Sequence, residues 1–158
     1  MSTKGNLELR LPGSVLYRGV QCDGYRVYNA LVELALLHMK KSEEAGKGEP
    51  STNDFREWFK EVAPKVLPNK DAVPRLVGGV PCEVIIDTAR RIVLCNGDDS
   101  YYTSISEDAP LLIEGSINRL RTEFHYQFLG YTSLAQRTQE AKAKEDALDR
   151  ARELAREE

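Results

Sequence analysis

The chain has 158 residues, a formal net charge of −3 and a pI near 5.6; 41% of its residues are hydrophobic and 30% charged. That length suits one domain with a real core and room for an appendage. The acidic balance argues against a nucleic-acid surface without excluding one, because charge can segregate to one face. No apolar run approaches the roughly 18 residues of a membrane-spanning helix, and the polar residues 1–6 lack the apolar stretch of a signal peptide. A cytoplasmic protein without membrane contact is expected.

Leu7, Leu9 and Leu11 alternate with Glu8 and Arg10, which predicts a strand; Pro12-Gly13 predicts a turn, and Val15, Leu16, Tyr17 and Val20 a return strand. Residues 1–24 are expected to be an N-terminal β arm covering a core edge. Residues 25–41 predict a helix. Tyr28, Leu31, Val32, Ala35 and Met39 form its stripe, Leu34, Leu36 and Leu37 widen it, and a helix this apolar must be mostly buried. His38 is expected at the core edge, and Lys40-Lys41 complement the helix dipole. Residues 42–50 are charged and glycine-containing, a solvated connector.

Ser51, Thr52 and Asn53 can cap a helix whose Phe55, Trp58, Phe59 and Val62 recur at i, i+3, i+4 and i+7. A proline-marked break follows. Asn69 or Asp71 can cap a second, shorter helix carrying Val73, Leu76 and Val77, and Gly78-Gly79 ends it. Residues 82–86 and 92–95 are apolar runs joined by 87–91, a β-hairpin. With a two-residue turn at Thr88-Ala89, Cys82 would lie opposite Cys95. The three cysteines show neither zinc spacing nor a disulfide framework, and reduced thiols are expected in a cytosolic setting. Tyr101-Tyr102 either extends the second strand or packs on the next helix.

Pro110 suits a helical first turn, and Ile113, Ile117, Leu120, Phe124, Phe128 and Tyr131 continue at helical spacing. From 133 to 158 large apolar residues nearly vanish. Leu134, Ala141, Leu148 and Ala155 repeat every seven residues, favouring a long charged helix. Its alanine-rich seam would pair only weakly with a second copy or another protein, since burying alanine removes little apolar surface from water. The expected division is 1–24, 25–132 and 133–158.

Helix, turn, helix and hairpin in that order, followed by an aromatic pair and a long helix, resemble winged helix-turn-helix proteins of the small bacteriophage and prophage type. The pieces that carry the likeness are the helix from Val27 to Lys41, Ser51-Thr52-Asn53-Asp54-Phe55, Asp71-Ala72-Val73-Pro74-Arg75-Leu76-Val77, Ile92-Val93-Leu94-Cys95, Asn96-Gly97-Asp98-Asp99-Ser100-Tyr101-Tyr102-Thr103-Ser104, and Ile113 onward. The fold class implied is α+β: a winged helix-turn-helix core with an N-terminal β arm and a long C-terminal helix. The implied function is sequence-specific binding of double-stranded DNA by a transcriptional or replication regulator. In that reading Asn69, Lys70 and Arg75 would lie on the recognition helix, and Arg90 and Arg91 at the wing tip would touch the backbone or minor groove. Pro74 inside the recognition helix, its few polar residues and the acidic total keep a second reading open. That reading is a protein-binding module on the same scaffold that docks on a host complex and modulates it. No glycine-rich phosphate loop, HExxH or GxSxG is present, and His38 and His125 have no partnered motif. The expectation is a non-enzyme without cofactor or metal.

Overall fold

A computed structural model describes residues 3–44, 49–67, 72–102, 109–124 and 134–157. Five strands, β1 (Gly5–Leu11), β2 (Ser14–Val20), β3 (Cys82–Asp87), β4 (Ile92–Cys95) and β5 (Asp98–Tyr102), form one sheet in the order β2-β1-β3-β4-β5. A 3-10 helix (Gly24–Tyr28) leads into α1 (Asn29–Glu43), followed by α2 (Thr52–Val66), α3 (Ala109–Phe124) and α4 (Leu134–Glu157). The class is α+β.

The alternation of 7–11 makes β1, and Gly13 at φ +76° makes the turn into β2. β1 does not form an arm. It lies inside the sheet, antiparallel to β2 and parallel to β3, with Leu7 opposite Val84 and Leu9 opposite Ile86. A parallel pair needs a long crossover; α1 and α2 supply it. The sequence pattern of β1 hides this placement, because Glu8 and Asn6 sit on its second face and are buried there.

The first face of the sheet meets the helices. Leu7, Leu9, Val84, Ile86 and Val93 join Leu31, Leu34 and Ala35 of α1, Phe55, Trp58, Phe59 and Val62 of α2, and Ile113, Ile117 and Leu120 of α3 in one core. The α2 start is a capping box. Ser51 Oγ accepts from the Asp54 N–H, and the Asp54 carboxylate accepts from the Ser51 N–H. Those bonds satisfy two donors of the helix start. Lys41 at the end of α1 reaches Asp54 (3.3 Å) and Glu44 (3.2 Å).

Several expectations are corrected. The described part of the expected recognition helix, 72–77, is not helical: Val73 makes an isolated bridge to Gly19, and Pro74 to Val77 follow an irregular path. Pro74 removes a donor and Asn6 offers the backbone a different partner. Cys82 does not face Cys95; Val84 does. The hairpin turn spans four residues, 88–91, held by the Asp87 carboxylate accepting from the Arg90 N–H and by Arg91 at φ +57°. Asn96 and Gly97, both at positive φ, turn the chain into β5, so Tyr101-Tyr102 belongs to a strand of its own paired with β4. α3 ends at Phe124, and Phe128 and Tyr131 lie outside the described residues. α4 is helical as expected, and of its described side chains only Glu145 is partly covered.

Candidate functional site

Arg90 and Arg91 do sit at the tip of the β3–β4 hairpin, exposed, and Arg91 pairs with Glu49 at 3.1 Å. Arg75 is exposed on the irregular segment, where its carbonyl lies over Gly19. Gly19 is level with Asn6 of β1, whereas the hairpin tip follows Asp87, which is level with Arg10. Four residues of β1 therefore separate the two groups, about 13 Å along the strand. Arg75 is thus displaced along β1 from Arg90 and Arg91. Asn69 and Lys70 lie outside the described residues.

The segment after α2 is held on the second sheet face. The Asn6 side chain donates to the Val77 carbonyl (2.8 Å) and accepts from the Val77 N–H (2.8 Å), a side-chain imitation of strand pairing. Gly19 permits this approach. A Cβ there would lie 2.5 Å from the Arg75 carbonyl oxygen and 2.6 Å from Val77 Cγ2. On the same face the buried carboxylates of Glu8 and Asp87 are both met by the Arg10 guanidinium.

Among the described residues, this path leaves part of β2 without a strand partner on its outer side. β2 is an edge strand, and its pairing with the 72–77 segment is limited to Gly19 and Val73, which exchange two 2.9 Å bonds. Beside the remaining edge runs a groove of about 310 Å³. Among the described residues, Leu16, Phe59, Ala63, Pro64 and Pro74 supply its apolar lining and Arg18 and Lys60 its charges, and none of those that line it is a carboxylate. The Arg18 guanidinium donates to the Leu67 carbonyl (3.0 and 3.2 Å), which ties the strand to the end of α2. Sequence reasoning recognised β2 as a strand but not as the edge, because strand order depends on the distant β1–β3 pairing.

A second groove, about 280 Å³, runs between α1 and α2 past Lys40, Lys41, Asp54, Glu57 and Glu61. Its charges are of both signs. His38 lies in the core nearby, edge-on to Phe55 at 5.9 Å between ring centroids, and burial lowers its pKa to about 4. A base held neutral by burial is a packing residue unless a substrate reaches it. Among the described residues no group of three or more His, Cys, Asp or Glu side chains could hold a metal ion. No described helix is long and apolar enough to cross a membrane.

The fold and these surfaces define an α+β sheet-and-helix domain in which, among the described residues, the β2 edge is largely unpaired. Comparison with family models, with curated proteins and with solved structures finds no match to this chain.

Proposed function

We propose that the chain is a protein-binding module that acts by docking on another protein. The observation that carries this reading is the open edge of β2 beside an apolar groove. Backbone groups and apolar surface left together at an edge are what a partner chain can use. Formal charge points the same way: 22 basic residues stand against 25 acidic ones, and a DNA face needs a clustered positive surface.

DNA binding on a winged-helix plan is the second reading. The observation that favours it is the exposed Arg90-Arg91 pair at the hairpin tip. It lacks a helix over 72–77 to enter the major groove.

One experiment separates the two. A photo-crosslinking amino acid is placed at position 15 in one full-length protein and at position 90 in another, and each is irradiated in cells. A discrete protein adduct from position 15, competed away by the unmodified chain, is the expected outcome. Adducts to DNA from position 90, with none to protein from position 15, would establish the DNA reading instead. In a parallel titration with pooled random duplexes at low salt, no retained duplex is expected.

A further inference from the structure

We propose that the edge of β2 at Val15 and Tyr17 accepts an extended, acidic and apolar segment of a partner protein as an added strand. The proposal rests on the protein-binding reading and names the chemistry of the partner.

Two independent features orient the backbone. Gly19 directs its N–H and carbonyl away from β1, to Val73. Alternate residues of a strand direct these groups to the same side, so Tyr17 and Val15 direct theirs outward as well. At the other end Arg10, the partner of Val15, gives its carbonyl to the Thr88 N–H (3.1 Å) and hydroxyl (2.7 Å), on the β3 side. Arg10 and Val15 are therefore a pair without mutual hydrogen bonds, which again turns the Val15 groups outward. Sheet edges are commonly blunted by lysine, proline or a bulge. From Ser14 to Tyr17 β2 has no charge and no proline, and its register with β1 is regular.

The groove says what the added strand carries. A strand placed about 4.8 Å beyond β2 would project alternate side chains over Leu16, Phe59, Ala63 and Pro64, so those side chains are apolar. Among the described lining residues the charges are Arg18 and Lys60. The Arg18 guanidinium meets a carbonyl rather than a carboxylate. Lys60 reaches Glu57 only at 3.8 Å, with both side chains more than 60% exposed, a pair that contributes little. Carboxylates on the incoming segment complement both cations. A second copy of the chain fits less well, because a two-fold interface brings the same patch to both sides and would gather two sets of Arg18 and Lys60.

The test uses the isotopically labelled full chain and a synthetic nine-residue peptide whose groove-facing positions are glutamate at the two ends and valine between them, with threonine at the alternate positions. Amide hydrogen exchange at Val15 and Tyr17 should be fast in the free protein and slow in the complex. N-methylating the alternate set of peptide residues whose N–H groups face β2 should abolish binding, and N-methylating the other set should not. Replacing glutamate by lysine in the peptide, or Lys60→Glu in the protein, should each weaken binding by about tenfold or more, the scale of one lost close charge pair. Lys60 is solvent-exposed, so that variant keeps the fold. Absence of binding by the glutamate peptide would overturn the proposal, as would equal binding by the lysine peptide. Protection appearing only along the α1–α2 groove would overturn the edge site while leaving the protein-binding reading intact. Val15 and Tyr17 already protected in a free chain that sediments as a dimer would show that a second copy occupies the edge, and would overturn it too. The crosslinking experiment reads the protein-binding role separately, so the two can fail independently.

Discussion

At the scale of single residues, the most informative side chains are buried groups with a polar atom. His38 is 3% exposed and its pKa is lowered to about 4, so the folded protein holds it neutral. The unfolded chain protonates it near the ordinary value of about 6.5. Its contribution is thus fully present above that pH and is lost as pH falls towards 4, by up to roughly 3 kcal/mol. Denaturant titrations between pH 7 and pH 4 should show this loss, and His38→Gln should flatten the curve across the window. Trp58 is 7% exposed, and its indole N–H has no hydrogen-bond partner among the described residues. Trp58→Ala should destabilise by about 3–5 kcal/mol through the cavity it leaves. Trp58→Phe should cost well under half of that, because it also removes an unsatisfied buried donor. Equal losses for the two variants in chemical denaturation would show that the indole itself, and not the volume it fills, carries the stability. Arg10 behaves differently: its worth lies in the two buried carboxylates it meets, Glu8 and Asp87.

At the scale of elements, local chemistry starts and stops the helices and strands. The Ser51–Asp54 box begins α2, and Ser51→Ala should cost about 1 kcal/mol, read as a lower urea midpoint with an unchanged slope. Where β1 begins, close backbone approach decides. Gly5 and Gly24 lie against each other, and the Gly24 N–H donates to the Thr3 carbonyl at 2.8 Å. A Cβ on Gly24 would collide with the backbone of Lys4 and Gly5, which has no flexible end to give way. Gly24→Ala should therefore destabilise by about 2 kcal/mol or more, whereas Gly115→Ala, in open space on a helix, should be neutral or stabilising. Comparing the two thermal midpoints checks the argument.

At the scale of the whole molecule, no described side chain of α4 belongs to the core. The core joins β1–β4 to α1–α3, while Leu148 and Leu154 of α4 are 54% and 65% exposed. Removing residues 134–158 should leave the unfolding free energy of the remainder within about 0.5 kcal/mol, the range of changes that touch no core contact. α4 approaches α1 where Glu43 meets Glu145. Burial, and then the hydrogen bond to Glu145, hold the Glu43 carboxyl above its ordinary pKa. A raised carboxyl pKa means that the contact favours the protonated form. Association of α4 with α1 should strengthen as pH falls through that raised value and weaken as pH rises. A fluorescent pair on α4 and α1 would report it as a distance change, and Glu43→Gln should abolish the pH dependence.

The sequence by itself determined the elements whose signal is local. The alternation of Leu7, Leu9 and Leu11, the stripe of α1, the Ser51 cap with Phe55 and Trp58, and the hairpin bearing Arg90 and Arg91 are all legible from side-chain period and turn chemistry. The Asn96-Gly97 turn was equally legible, since that dipeptide adopts the positive φ values of a tight hairpin, and it would have revealed β5. Residues 71–77 misled because an apolar spacing of three and four suggests a helix, yet Val73 and Val77 found partners on Gly19 and Asn6, more than fifty residues away. Only the tertiary structure decided that β1 lies inside the sheet, that β2 is its edge, and that Arg75 stands apart from the hairpin tip. Strand order and edge exposure depend on pairings between distant segments, and neither period nor propensity encodes which distant strand a given strand will meet.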